Sequence, residues 1–376
     1  MRSNYKKLGN YIRQVNIKNT DGKVDMLVGV NLEKKFIPSV ANIVGTDLIK
    51  YKVIKKGQFG CKLMSVGRDG KLPISLMKDY EKAIISSAYY VFEVKNENEL
   101  LSDYLMMWLS RSENDRYLWF KSGADVRGSI SWNDFCSIEI NIPSIEKQRE
   151  IVAEYYAITN RIKLNEQLNQ KLEETAQAIY KEWFVDFENG EIISLDSLVE
   201  FNPKHSIKKN VVTSYIEMAD LQETSMSIKN IIKRPFTNGS KFKNNDTLLA
   251  RITPCLENGK TAFVKGLSDK EIAFGSTEFI VMRAKKEISP YWVYCLAREE
   301  NFRAYAISSM IGSSGRQRVH SDYLKDYEVS ISINKMSDFH KVAEPLFETI
   351  YLKSQENKKL LALKEVLLSK MVTVEG

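Results

Sequence analysis

Histidine, cysteine and long apolar runs are all scarce in this chain, and each scarcity excludes a class of protein. Three histidines and four cysteines occur in 376 residues. His205, His320 and His340 are scattered, as are Cys61, Cys136, Cys255 and Cys295, and none has a partner at the spacing of a zinc site. No resident metal or disulfide framework is expected, and the cysteines read as reduced thiols. The longest apolar stretches, Ala83 to Ser87 running into Tyr89 to Phe92, fall far short of the roughly 20 residues a membrane span needs. The opening Met1-Arg2-Ser3-Asn4-Tyr5-Lys6-Lys7 is basic but leads into no apolar stretch, so it does not read as a secretory signal and a cytoplasmic location is expected.

Catalytic signatures are missing as well. Gly259-Lys260-Thr261 matches only the tail of a phosphate-cradling loop, because Pro254 stands where a further glycine must turn the backbone. Met64-Ser65-Val66-Gly67 lacks the glycine two before the serine that a nucleophile elbow requires. The paired carboxylates Glu173-Glu174 and Glu299-Glu300 fall on expected helices, where a solvated face accounts for them. Neither the proline-paired loop with which amino-methyltransferases hold a flipped base nor a nuclease carboxylate-lysine cluster is visible. No catalytic residue is assigned.

What the chain has is length, charge and a repeat. Its size implies two or three domains, and a composition of 43% hydrophobic and 27% charged residues is that of a globular protein. The formal charge of +7 permits a polyanionic partner without requiring one. Gly128-Ser129-Ile130-Ser131-Trp132-Asn133-Asp134-Phe135 lies 188 residues before Arg316-Gln317-Arg318-Val319-His320-Ser321-Asp322-Tyr323. Ser86-Ser87-Ala88-Tyr89-Tyr90-Val91 answers Ser276-Thr277-Glu278-Phe279-Ile280-Val281, and Tyr104 with Leu109-Ser110-Arg111 answers Tyr291 with Leu296-Ala297-Arg298. Leu8 answers Leu198. Several segments in one order at nearly one offset indicate duplication, with copies starting near residues 1 and 190.

Each copy divides in two. Residues 1–143 and 189–333 carry short runs rich in Val, Ile, Phe and Tyr bounded by Gly, Asn and Asp, which predict strands with a few helices. Residues 144–188 and 334–376 are helical. In the first of these, apolar positions step by four and three through Ile151, Tyr155, Ile158 and Ile162, turn polar at Asn165 and Asn169, then resume at Leu172, Ala176, Ile179 and Trp183. The phase recurs more weakly through Phe339, Ala343, Leu346, Ile350, Lys353, Asn357, Leu360, Lys364, Leu367 and Met371, where Pro345 predicts a kink or a delayed start. The basic excess sits in the globular segments, +6 in 1–143 and +3 in 189–333, against −3 and +1 in the helical ones. Two positive modules on a near-neutral spacer suit gripping a polyanion at two places.

The candidate contacts lie in polar loops. Arg and Gln read guanine and adenine edges, while Ser and backbone amides suit phosphates. Ser313, Arg316, Gln317 and Arg318 in one copy answer Arg127 and Ser129 in the other. An earlier loop is duplicated in character as Lys62, Ser65, Arg68 and Lys71 against Arg251, Thr253, Asn258 and Lys260.

Residues 142–188 resemble the central region of the DNA-specificity subunit of type I restriction-modification enzymes. The matching text is Ile142-Pro143-Ser144-Ile145-Glu146-Lys147-Gln148-Arg149-Glu150-Ile151-Val152, the long heptad helix, and Ala178-Ile179-Tyr180-Lys181-Glu182-Trp183-Phe184-Val185-Asp186-Phe187. The layout of the whole chain resembles the family too, although Ile331-Ser332-Ile333-Asn334-Lys335 stands where the second proline-led start would be. The resemblance implies an α+β fold: two target-recognition domains (1–143 and 189–333), each followed by a spacer helix (144–188 and 334–376), the helices antiparallel and the molecule pseudo-two-fold symmetric. It implies a non-catalytic subunit that reads a split, asymmetric double-stranded DNA target. Two modification subunits would bind it and use S-adenosylmethionine, and two optional restriction subunits would use ATP and Mg2+; the chain itself would hold no cofactor. Asn169 and Asn357, at equivalent seam positions, are expected to face one another and fix the helix register. The competing readings are a DNA-modifying or DNA-cutting enzyme, active alone, and an antirestriction decoy or orphan scaffold that binds modification subunits without reading DNA.

Overall fold

The computed structural model describes residues 5–39, 47–123, 125, 128–186, 190–313 and 315–373. The chain is α+β and packs as two compact units, Met1–Asn160 with Leu360–Gly376, and Arg161–Lys359. Each long helix therefore contributes residues to both units.

The short Val/Ile/Phe/Tyr runs form strands, and the two units share one topology. In the first, Ile12–Val15, Tyr90–Val94, Phe59–Cys61 and Ile74–Leu76 make an antiparallel sheet in that order. Phe36–Pro38, Leu27–Val30, Lys82–Ile85 and Lys52–Lys55 make a second sheet, in which Leu27–Val30 runs parallel to Lys82–Ile85. The second unit repeats the first sheet as Val199–Phe201, Phe279–Ala284, Thr247–Ala250 and Thr261–Phe263. It repeats the other as Ile232–Pro235, Val212–Ile216, Ala273–Gly275 and Ser240–Phe242, again with one parallel pair. A short antiparallel ladder closes each globular part, Tyr5–Lys7 with Glu139–Asn141 and Glu191–Ser194 with Glu328–Ile331.

Burial corrects the register of the repeat in two places. Leu8 N–H donates to the Ile138 carbonyl and Leu195 N–H to the Tyr327 carbonyl, each at 2.8 Å, so the counterpart of Leu8 is Leu195 rather than Leu198. The helix Trp132–Cys136 buries Phe135 completely, and the helix Ser321–Lys325 buries Leu324 completely while Tyr323 stays 44% exposed. Phe135 thus answers Leu324, not Tyr323. Matching by residue type picks the nearer aromatic, but the core selects whichever apolar side chain points inward.

The central helix is Ile145–Tyr180, extended by a π turn over Lys181–Val185, and the second long helix is Ile333–Lys370. Pro345 lies inside the latter, so the proline does not delay the start. Both sequence motifs of the central helix have structural work. Gln148 is fully buried; its Oε1 accepts from Leu101 N–H at 2.9 Å and its Nε2 donates to the Glu99 and Pro143 carbonyls, each at 2.9 Å. That side chain pins the helix start to the loop before Ser102–Leu109. At the other end Phe184 is buried among Tyr180, Trp292 and Phe339, so the Trp-Phe pair seats the helix on the strand-rich part of the second unit and on the start of the second helix.

The seam follows the predicted phase, with Ile151, Ile162, Asn165, Asn169 and Ala176 buried on one helix and Phe339, Ala343, Ile350, Asn357 and Met371 on the other. The expected pairing of Asn169 with Asn357 shifts by one turn. Asn165 Nδ2 donates to Asn357 Oδ1 at 2.8 Å, Asn357 Nδ2 to the Ile162 carbonyl at 3.3 Å, and Asn169 Nδ2 to Ser354 Oγ at 3.1 Å. In an antiparallel pair, equivalent residues of two copies meet only at the crossing point. Here the crossing falls between 165 and 169, so Asn165 meets Asn357, the counterpart of Asn169, while Asn169 meets Ser354, next to the counterpart of Asn165.

Glu173 departs from the solvated-face reading. Glu174 is solvated and pairs with Lys171, but Glu173 is buried, with Oε1 accepting from Met226 N–H at 2.6 Å and Oε2 from the Tyr294 hydroxyl at 2.9 Å. The glutamate bolts the strand-rich part of the second unit to the central helix. Burial raises its carboxyl above the ordinary range, against the lowering effect of those hydrogen bonds and of Arg298.

Two outcomes follow for stability. Asn357→Leu strands the buried Asn165 amide and should cost about 1–3 kcal/mol, which the double variant with Asn165→Leu should largely restore; urea unfolding of the four cycle members measures both. Because Glu173 has a folded pKa above its unfolded one, its contribution is fully present below the unfolded value and is lost as pH rises through the folded value. Glu173→Gln should therefore remove that loss, seen as a flatter stability profile from acid to neutral pH; parallel profiles would refute the assignment.

Candidate nucleic-acid interface

In the second unit the two polar loops fold onto each other. Thr253 N–H donates to the Gln317 carbonyl and Gln317 N–H to Thr253 Oγ1, both at 3.1 Å. Val319 N–H donates to the Arg251 carbonyl at 3.0 Å, while Ile311 and Arg318 exchange backbone hydrogen bonds at 2.9 Å. Short backbone bridges thus place Arg251, Thr253, Gln317 and Arg318 along one edge.

A carboxylate that sequence reading missed organises that edge. Glu278 precedes the strand Phe279–Ala284; Arg318 Nε donates to its two oxygens at 3.0 and 2.9 Å, and Arg318 Nη2 donates to Oε1 at 2.8 Å. Arg251 Nε lies 3.8 Å from Oε2. Two guanidinium groups share one carboxylate, and Arg318 holds the Glu278 carboxyl below its ordinary range. Arg318 Nη1 donates to the Arg316 carbonyl at 3.3 Å, so most of its fork is committed internally. Arg316 is different. It is exposed, its N–H closes a turn on the Ser313 carbonyl at 3.0 Å, and its side chain has no partner among the described residues. Gln317 is half-buried and Ser313 exposed beside it. Asn258 donates to Glu223 at 3.4 Å and Lys260 to the Met218 carbonyl at 3.3 Å, which ties both into the loop base.

The first unit brings its loops together in the same way but dresses them differently. Gly67 N–H donates to the Gly128 carbonyl at 3.2 Å, and a Cβ at Gly67 would collide with the carbonyl oxygens of Asp125 and Gly128, so only glycine permits this approach. Ile130 N–H donates to the Leu63 carbonyl at 3.5 Å, matching Val319 and Arg251. By that pairing Leu63, Ala88 and Ser129 stand where the second unit has Arg251, Glu278 and Arg318, so the clamp belongs to the second unit. Lys71 and Ser129 are exposed, Lys62 lies over the Tyr89 ring at 5.5 Å, and Ser65 is buried. Arg68 is exposed but forks onto its neighbour Asp69 at 2.7 and 2.9 Å, a pairing that raises the Arg68 pKa and lowers that of Asp69. Arg127 lies outside the described residues. The signal for Glu278 was in the aligned text: an acid replaces Ala88 in the copy that also gains two arginines.

Among the described residues no group of three or more His, Cys, Asp or Glu side chains is placed to hold a metal ion, and no helix is long and apolar enough to cross a membrane. What the edge offers is hydrogen-bond donors, an amide and net positive charge, the chemistry of nucleic-acid contact.

Residues 34–174 match the family model of the type I restriction modification DNA specificity domain. The chain is 32% identical over 162 residues to the type I restriction enzyme HindI specificity subunit of Haemophilus influenzae, a match covering 42% of this chain and 34% of that protein. It is 23% identical over 309 residues to the MjaIX specificity subunit of Methanocaldococcus jannaschii, covering 73% of this chain and 68% of the other. The crystal structure of a type I restriction-modification S subunit from M. genitalium has the same fold, with a TM-score of 0.55 at 12% identity over 98% of this chain and 95% of that one.

Removing the clamp should loosen the edge. Glu278→Ala deprives Arg318 and Arg251 of their shared carboxylate, and trypsin should cut after Arg316 and Arg318 roughly three- to tenfold faster, the scale of a lost, partly exposed charged pair. Unchanged cleavage kinetics would show that the backbone bridges alone hold the loop.

Proposed function

We propose that the chain is a specificity subunit of a type I restriction-modification system, one that reads a bipartite, asymmetric double-stranded DNA target and directs the other subunits to it; the match of residues 34–174 to the DNA specificity domain supports this reading. The doubled topology carries this reading: one eight-strand pattern occurs twice, each time with two polar loops bridged at the same place, yet with different side chains on the loops. Two differently dressed readers in one chain suit two different half-sites. The spacer helices have 36 and 38 residues, each roughly 55 Å long at 1.5 Å per residue, on the order of one and a half turns of duplex.

In this reading Arg316 and Gln317 meet base edges, where a guanidinium suits guanine and a carboxamide suits adenine. Arg318, held by Glu278, stiffens the loop and offsets the carboxylate that would otherwise repel DNA. Lys62, Lys71, Ser129 and Ser313 face the backbone phosphates. Two modification subunits dock on the chain and supply S-adenosylmethionine-dependent adenine methylation. Two restriction subunits, where present, add ATP- and Mg2+-dependent translocation and cleavage.

Co-expression with the modification subunit, followed by genome-wide mapping of methylated adenines, should reveal a split motif with a fixed gap. A complex that assembles but methylates without sequence preference would replace this reading with a scaffold. Arg316→Ala should relax one half of the motif at about 1–3 kcal/mol for a lost bidentate contact, leaving the other half intact. Arg318→Ala should instead weaken all sequences alike by unmasking Glu278. A normal motif and normal affinity in both variants would remove these residues from the interface.

A further inference from the structure

The duplication supplies an internal control for the surface of the first unit. Its helix Ser112–Lys121 corresponds to Glu300–Ser308 in the second unit, since both follow the matched helices Ser102–Leu109 and Pro290–Arg298 and each buries an inward residue, Leu118 and Ala306. At the offset of 188, the second helix carries Ala304, Tyr305, Ile307, Ser308 and Ser309 where the first carries Arg116, Tyr117, Trp119, Phe120 and Lys121. Ile307 and Tyr305 pack against the core of their unit, and the Tyr305 hydroxyl donates to the Tyr323 carbonyl at 3.0 Å. In the first unit the aromatic rings stand in solvent instead: Phe120 is 73% exposed, Tyr117 44% and Trp119 41%.

Folding does not require Trp119 and Phe120, since the sister helix carries Ile307 and Ser308 in their places. Single exposed apolar side chains are ordinary, but three within one turn form a patch of the kind that marks an interaction site. The same exchange that brings Trp119 and Phe120 in place of Ile307 and Ser308 also brings the cations Arg116 and Lys121 in place of Ala304 and Ser309. Arg116 and Phe120, like Tyr117 and Lys121, are four residues apart and share a face, and Lys121 lies over the Tyr117 ring at 5.7 Å. Glu113 on that face is shared weakly by Arg111 at 3.6 Å and Arg116 at 3.9 Å. Aromatic rings gained together with positive charge match a polyanion with stackable bases better than an apolar protein surface. The patch is also continuous with the bridged loops: the helix packs beside Val66–Asp69, and the Ser122 carbonyl just after it abuts Gly128.

We propose that the exposed end of helix Ser112–Lys121 is a second duplex-DNA contact of the first unit, with Arg116 and Lys121 on phosphates and Phe120, backed by Tyr117 and Trp119, wedged against a base step. It rests on the DNA-reading function above and deepens it. The first unit lacks the arginine clamp of the second and reads its half-site partly through the ease with which that step unstacks.

The test uses the full chain assembled with its modification subunit and duplexes of the methylated motif, with 2-aminopurine substituted at successive steps of both halves. The wild type should brighten one step of one half-site on binding. Trp119→Ala/Phe120→Ala should abolish that signal and weaken binding roughly tenfold, the scale of a lost stacking contact, with the salt dependence unchanged. Arg116→Ala/Lys121→Ala should lower the slope of log affinity against log salt by about one to two. Sequence-specific binding by the wild type with no brightened step, or with the aromatic variant unaffected, overturns this proposal alone. Absence of sequence-specific binding by the wild type overturns the DNA-reading function itself. Failure of the aromatic variant to assemble with the modification subunit, with DNA contact intact in what does assemble, reassigns the patch to protein docking and overturns the proposal.

Discussion

The buried polar step in the helix seam is the constraint on which the rest depends. Apolar seams slide at little cost, since one leucine replaces another, whereas an asparagine carboxamide moved one turn leaves donors and acceptors unpaired in the interior. Asn165 with Asn357, and Asn169 with Ser354, hold the paired segments of the second unit in a single register. That register decides where Phe339 meets Phe184 and Tyr180, and hence where the strand-rich part of the second unit seats on the helices. In the first unit, Asn141 Nδ2 donates to the Met371 carbonyl at 2.9 Å and the Tyr5 hydroxyl to the Val372 carbonyl at 3.1 Å, which anchors the end of the second helix to the closing ladder.

On that framework the loops of the two units carry different charge at corresponding positions. One backbone bridge recurs in both units, from Ile130 to Leu63 and from Val319 to Arg251, so the juxtaposition of the loops belongs to the fold. What varies is the charge set upon it. In the second unit, one carboxylate restrains two guanidinium groups, which lowers the entropy a flexible arginine would lose on binding and leaves net positive charge at the surface. In the first unit the same positions are small or apolar, and charge and aromatic area sit on the neighbouring helix. Duplication followed by separate dressing is an economical way to make two unlike loop surfaces from one fold.

Much of the architecture was legible in the sequence because it rests on periodicity. The step of four and three from Ile151 to Trp183, the strand-forming runs and the recurrence near 188 residues all report which face of an element is buried, and burial imposes its period on the chain. The errors share a cause. Leu198 and Tyr323 resemble Leu8 and Phe135 in type but not in direction, and Glu173 resembles its solvated neighbour Glu174 although it points at Met226 and Tyr294. Residue type is local information, whereas inward or outward direction is set by what the element packs against. The candidate interface was legible as loops and residue classes only; that Arg318 is engaged, Ser65 buried and Arg316 open could not be read from spacing.

The sequence by itself determined the scarcity of histidine and cysteine, the duplication, the division of each copy into a strand-rich part and a helix, and the concentration of positive charge in the strand-rich parts. These follow from composition and period, which need no partner residue distant in the chain. Tertiary structure alone decided that Asn165 rather than Asn169 meets Asn357, that Glu278 gathers arginines from two separate loops, and that the aromatic rings of one helix stay in solvent while those of its sister are covered. Each of these depends on a contact between segments far apart in sequence, and such contacts exist only after the core has fixed the direction in which every side chain points.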